Sequence, residues 1–269
     1  MTAFALRTRR MLIRDVGKAG LAVMILGTSA CASEDTENAT PTPPTSGDSS
    51  TTPSSSSTSA ASEGSTSSSA PADRSVEWHR VDLGFVSAYL VYRSGEAFVV
   101  DTGVSNSEGA IEAALGEIGL GWDSVGGVIL THKHPDHQGS LEAVLAVTEA
   151  PWYAGAADIP AIDARTEGMP VGDGDRVFDL EIIETPGHTP GHVSVLDATG
   201  GVLVAGDALN GEGGGVVGPN PGFSEDMELA NASVAKLGGF DYQVILFGHG
   251  EPVTANGSTL VSELAGADS

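Results

Sequence analysis

Three histidines fall within six residues, in the run Thr131-His132-Lys133-His134-Pro135-Asp136-His137. Imidazole nitrogens and carboxylate oxygens are the donors that hold divalent ions such as Zn²⁺. Three imidazoles and Asp136 packed so closely are hard to explain as core packing or as a solvated face. In a loop stiffened by Pro135, His132 and His134 converge on one point, and Asp136 and His137 face a second. Other candidates are scattered downstream. His188 lies in Glu184-Thr185-Pro186-Gly187-His188-Thr189-Pro190-Gly191-His192, Asp207 in Val204-Ala205-Gly206-Asp207, and His249 in Phe247-Gly248-His249-Gly250. Each has a glycine beside it, which lets backbone approach closely. Cys31 is the one cysteine. Thiolate-rich metal sites and intramolecular disulfides are therefore excluded, and ligands must come from His, Asp, Glu or backbone oxygen.

The elements that would position these residues are legible in part. The segments 76–84, 86–95 and 96–103 are rich in Val, Tyr and Phe and predict three strands, with Ser94-Gly95 as a hairpin turn. Ile111, Leu115 and Ile118 are at helical spacing and predict a helix over 106–118. A short apolar run at 126–131 predicts a buried strand that leads directly into the histidine cluster. A second helix is expected over 140–147. Strands follow at 180–186, 192–197, 201–207 and 242–248, with a helix over 225–237. Strand ends present side chains to a ligand crevice in such folds. Hairpin-linked strands followed by alternating strands and helices predict α/β layers. Asp173 and Asp175 sit in Asp-Gly pairs and read as turn residues.

Taken together, H-x-H-x-D-H, His188 in Thr-Pro-Gly-His, Asp207 in Gly-Asp and His249 in Gly-His, in that order, resemble the metallo-β-lactamase superfamily. Residues 86–91 and 98–103 are similar to its opening strands, although Ser87 stands where many members carry Asn. The resemblance extends from about Val81 to about Val253. It implies an αβ/βα four-layer sandwich with the site at one edge of the two sheets. It also implies one metal on His132, His134 and His188, a second on Asp136, His137 and His249, and Asp207 bridging both. Zn²⁺ suits these ligands, and Fe or Mn does too. Two ions would acidify a water and polarise a substrate oxygen, with Asp136 or metal-bound water protonating the leaving group. An Asp at 207, where true β-lactamases have Cys or Ser, resembles the glyoxalase II-like and lactonase-like branch. The alternatives are a mononuclear iron enzyme like the sulfur dioxygenases and a non-catalytic protein that retains the fold.

His192 and Asp101 are expected to brace the site, His79 to lie at the surface, and Tyr153 and Tyr242 to belong to the core. Lys133 is expected to be exposed. The stretch Gly211 to Gly222 reads equally as a mobile rim or as a long loop. The whole chain carries 12 Lys+Arg against 36 Asp+Glu, a net charge of −24, which argues against nucleic-acid partners. Six of those cations follow Val76, and none lies among the sixteen residues after Val253. Glutathione thioesters and phosphodiesters are therefore disfavoured. A small, neutral or weakly charged ester, thioester, lactone or lactam is expected.

The beginning of the chain reads as an address. Arg7, Arg9, Arg10 and Arg14 precede an apolar run at 19–26 and small residues through Ala32, which predicts an export signal over 1–31. Residues 8–14 resemble a twin-arginine motif, the alternative being an ordinary basic n-region. Cys31 resembles a lipidated lipoprotein cysteine, and cleavage after Ala32 is the competing outcome. The chain is thus expected outside the cell, lipid-anchored on the bacterial membrane or secreted. Residues 40–70 contain 24 Ser, Thr or Pro among 31. Such a segment cannot bury a core, so 32–75 reads as a disordered linker and 76–269 as the catalytic domain.

Overall fold

The computed structural model of the chain describes residues 76–267. The export signal expected over 1–31, with Cys31, and the linker expected over 32–75 lie outside the described residues. Alternation along the strands generates the layers. Successive strand side chains point to opposite faces, so a strand buried on both sides is apolar throughout. In β2 (Ser87–Arg93) and β3 (Glu96–Val100), Ala88, Leu90, Ala97 and Val99 face one way, and Tyr89, Val91, Phe98 and Val100 the other. The first set packs against helices and the second against another sheet.

The first sheet has the order β1 (Glu77–Asp82), β2, β3, β4 (Val125–Ile129), β5 (Trp152–Gly155) and β6 (Met169–Val171). β1 to β3 are antiparallel, joined between β2 and β3 by Ser94-Gly95 with φ of 55° and 85°, the paired positive values of a type I′ hairpin. β3 to β6 are parallel. The parallel pairs need crossovers. These are α1 (Glu108–Glu117) and, after the short α2 (Pro135–Gln138), α3 (Leu141–Thr148). Ile111, Leu115, Leu141 and Val144 of these helices bury against the outer face of the sheet.

The second sheet comprises β7 (Arg176–Val177), β8 (Leu180–Glu184), β9 (Val193–Asp197), β10 (Val202–Gly206) and β13 (Val244–Phe247), in the order β13-β10-β9-β8-β7. Its inner face places Ile182, Val195, Val204 and Leu246 against the first sheet. Its outer face places Leu203, Ile245 and Phe247 against α4 (Met227–Leu237) and α5 (Gly257–Ala267) through Val234, Leu237 and Val261. Helix, sheet, sheet, helix is the expected four-layer order. Among the described residues, no helix is long and apolar enough to cross a membrane.

Several elements were not anticipated. β5 is four residues long, too short for a period to register. The glycine-rich stretch after Asp207 folds back as a hairpin, β11 (Asn210–Glu212) with β12 (Gly215–Val217). α5 begins at Gly257, a poor helix former, because a Cβ there would press on Ile245 and Tyr242 at 2.9 Å. Asp175 accepts the Gly172 N–H, as a turn residue does, whereas Asp173 accepts the N–H of the distant Glu184 and pairs with Lys236.

One buried bond ties the sheets beside the histidine loops. The Tyr89 hydroxyl, its pKa pushed up to about 12 chiefly by burial, donates to the Phe247 carbonyl at 2.8 Å. Tyr89→Phe strands that carbonyl and should cost about 1–3 kcal/mol of stability. The measurement is the urea midpoint, with the slope unchanged.

Candidate metal centre

The chemistry-bearing residues leave the sheets at a single edge. His132, His134, Asp136 and His137 follow β4, His188 lies between β8 and β9, Asp207 follows β10, and His249 follows β13. His132 Nε2 lies 3.1 Å from His134 Nδ1, which lies 2.9 Å from His188 Nε2. His249 Nε2 is 3.4 Å from Asp136 Oδ2. Asp207 reaches both groups, at 3.3 Å from His137, 3.4 Å from His188 and 3.2 Å from His249. Three overlapping sets of donors each fit one ion: His132, His134 and His188; His132, His137 and Asp207; Asp136, His137 and His249. All seven expected residues are brought together.

The ring orientations are forced from outside. Thr131 Oγ1 donates to Asp101 at 2.8 Å, so it must accept from His132 Nδ1 at 3.0 Å. Ser224 Oγ donates to the Asn220 carbonyl and so accepts from His188 Nδ1 at 3.1 Å. His137 Nδ1 donates to Asp101 at 2.8 Å, and His249 Nδ1 to the Phe85 carbonyl at 2.6 Å. In all four rings, Nε2 is left facing inward. Outer hydrogen bonds of this kind fix the tautomer of metal-binding histidines.

Two inward atoms test whether a cation fits. His137 Nε2 and Asp207 Oδ1 are buried and have no hydrogen-bond partner. The two face each other at 3.3 Å, so in metal-free protein a proton on the ring offsets the carboxylate, and a bound cation can take that proton's place. Gly248 leaves that room, since a Cβ there would run into the Asp207 carboxylate and the His137 ring.

The electrostatics follow from burial and proximity. Burial lowers His132 well below the ordinary imidazole range, helped by neighbouring His137 and His192. Burial also takes His188 down to about 4 and His192 to about 3. It opposes charge on His137 too, but Asp207 and Asp101 outweigh it and push that ring up to about 9. Burial likewise disfavours the Asp207 carboxylate, yet His137, His249 and His188 hold it far below the usual range.

The bracing residues are where the sequence suggests. Asp101 accepts from Thr131 N, Thr131 Oγ1 and His137. His192 accepts the Asp207 N–H at 3.0 Å, which orients the backbone that carries that carboxylate. His79 is partly exposed and faces Glu117, and Tyr242 is core. Lys133 departs from expectation. Its side chain is largely covered because it pairs with Glu225 at 2.8 Å. Asp158, Ser224 and the Phe85 carbonyl carried no sequence signal, since none lies near a histidine in the chain.

A cavity of about 430 Å³ opens over the cluster. His134, Asp136, Asp207 and His249 form its floor, Asn210 and Asn220 one wall, and Phe85 and Phe223 its mouth. The glycine-rich stretch is thus a rim of the site, shaped as a hairpin.

In metal-free protein, His137 contributes stability below pH 6.5 that is lost as pH rises through about 9. His188 and His192 contribute stability above 6.5 that is lost toward 4 and 3. Melting temperature against pH should fall on both sides of about 6.5, and Asp101→Asn should flatten the alkaline side.

Comparison with known proteins agrees with this geometry. A family model described as the metallo-beta-lactamase superfamily matches residues 81–249. A probable metallo-hydrolase of Bacillus subtilis (strain 168), YflN, is 29% identical over 236 residues, 70% of this chain and 89% of that protein. The hydroxyacylglutathione hydrolase of Hahella chejuensis is 34% identical over 149 residues, 53% of this chain. That match spans about half of the relative, 52%. The crystal structure of a metallo-beta-lactamase family protein from Thermus thermophilus superposes with a TM-score of 0.58 at 24% identity, covering 72% of this chain and 79% of that one.

Proposed function

The chain belongs to the metallo-β-lactamase superfamily, and on that footing we propose that it is a hydrolase that uses two divalent metal ions, zinc by preference, against the carbonyl of a small neutral ester, thioester, lactone or lactam. The observation that carries this is the pair of orphaned atoms on His137 and Asp207 inside a ring of inward donors. His132, His134 and His188 would hold one ion and Asp136, His137 and His249 the other, with Asp207 within reach of both sets. Bound there, the ions supply Lewis-acid polarisation of the carbonyl and acidify a water molecule.

The chain's own residues supply the rest. Asp136 faces the cavity, where its carboxylate is placed to take a proton from the attacking water and pass it to the leaving group. Phe85 and Phe223, 65% and 69% exposed, give the mouth apolar walls that exclude water from a bound acyl group. Asn210 and Asn220 offer neutral hydrogen bonds.

Charge narrows the substrate. Each of the six described Lys and Arg residues lies within 4.0 Å of a carboxylate: Arg80, Arg93, Lys133, Arg165, Arg176 and Lys236. No Lys or Arg lines the cavity. A substrate with its own carboxylates, such as a glutathione thioester, would find no Lys or Arg there to pair with them.

Metal analysis of protein purified without added metal, run beside a panel of neutral esters, thioesters, lactones and lactams, tests the reading. Two ions per chain and turnover of at least one class are expected. A single iron, or two ions with no turnover, would overturn it. Phe223→Ala should raise KM for a long-chain ester about 5- to 30-fold, the loss of roughly 1–2 kcal/mol of burial, with kcat for the acetate ester little changed.

Export rests on residues 1–31, and we carry it as a second proposal. Cys31→Ala should move the full chain from the membrane fraction of expressing bacteria into the soluble fraction. An unchanged distribution would remove the lipid anchor.

A further inference from the structure

A fourth carboxylate at this end of the molecule, beside Asp101, Asp136 and Asp207, takes no part in the chemistry above. Asp158 is fully buried and stands just after β5, at the head of a short 3₁₀ turn over Ile159–Ala161. Three hydrogen-bond donors converge on it. Oδ2 accepts the Lys133 N–H at 3.0 Å and the Thr189 hydroxyl at 2.6 Å, and Oδ1 accepts the Gly191 N–H at 2.8 Å. The Lys133 ammonium, 4.0 Å from Oδ1, offsets part of its charge.

The identity of those donors gives the contact its meaning. Lys133 stands between His132 and His134, on the loop from the first sheet. Thr189 follows His188, on the loop from the second sheet. One carboxylate thus joins the two loops that supply His132, His134 and His188. It makes no hydrogen bond to Asp136, His137 or His249. The approach is built to be close, because a Cβ on Gly191 would meet the Asp158 Cβ and Cγ at 2.8 Å. The three directed contacts are donors, so a carboxylate is required. An amide of the same shape would turn an NH₂ toward one set of them.

We propose that Asp158 is a positioning residue that sets the gap between His188 and the His132/His134 pair before the ion arrives; this rests on the two-ion reading above. The loops come from different sheets, and without the latch an ion must itself draw them together. That ordering cost is charged against its affinity.

The test uses the full chain, freed of metal and dialysed against zinc alone. In a His249→Ala background, zinc is held by the first set of ligands, and in a His188→Ala background by the second. Asp158→Asn should weaken zinc about 10- to 100-fold in the first background and leave it within about twofold in the second, the scale seen for outer partners of metal ligands. Thr189→Val removes a single bond and should show a smaller loss in the same background only. It carries the test if Asp158→Asn does not fold. A merely structural residue would instead lower the metal-free melting temperature and weaken both backgrounds alike. That result, or no loss in either background, overturns the proposal. A parent chain that binds no zinc would remove the two-ion reading itself, and this proposal with it.

Discussion

Buried negative charge is the constraint around which this end of the molecule is organised. Asp101, Asp158 and Asp207 are 2%, 0% and 6% exposed. A carboxylate out of water is tolerable only when donors or cations surround it. Asp101 recruits a backbone N–H, a hydroxyl and a ring N–H. Asp158 recruits two backbone N–H groups and a hydroxyl. Satisfying those two acids leaves the histidine loops with one arrangement. Asp207 is different, since its Oδ1 finds no hydrogen-bond donor. The first two carboxylates fix the shell, and the third belongs to whatever fills it.

One of the seven non-glycine residues with positive φ among the described residues stands at the same place. Asp101 has φ of 61°, a left-handed conformation that a non-glycine residue adopts at some cost. Its backbone N–H donates to Ile129 and its side chain reaches Thr131, so it stitches the end of β3 to the end of β4. An ordinary extended residue would carry the chain past the site. The bend turns the carboxylate back under His137. Layer packing on both sides holds β3 and β4 firmly enough to sustain that conformation.

The long strands and the histidine cluster were legible because their signals are local. Valine-rich strands bounded by glycine, and imidazoles two and three residues apart, are visible in a short window. His188, Asp207 and His249 were legible through small motifs that include their own glycines. The rest is spatial. Asp158 lies on a turn after a strand too short to register and meets its partners only once both sheets have packed. Lys133 was misjudged because its acid, Glu225, is distant in sequence. The Gly211–Gly222 stretch could not be resolved between rim and loop, since glycine signals freedom of the backbone and not where the backbone goes.

The outer nitrogen of His249 is held by a carbonyl, that of Phe85, and the Phe85 ring stacks on the imidazole with centroids 6.2 Å apart. Every amino acid carries the same carbonyl. A change of the ring at position 85 therefore keeps that hydrogen bond but loses the stacking contact on His249. At Ser224 the reverse holds, because there a hydroxyl secures His188. Along one rim, then, the chain offers a site where selection can retune what enters while one hydrogen bond on the centre persists, and another, one residue from Phe223, where a change of side chain removes the bond itself.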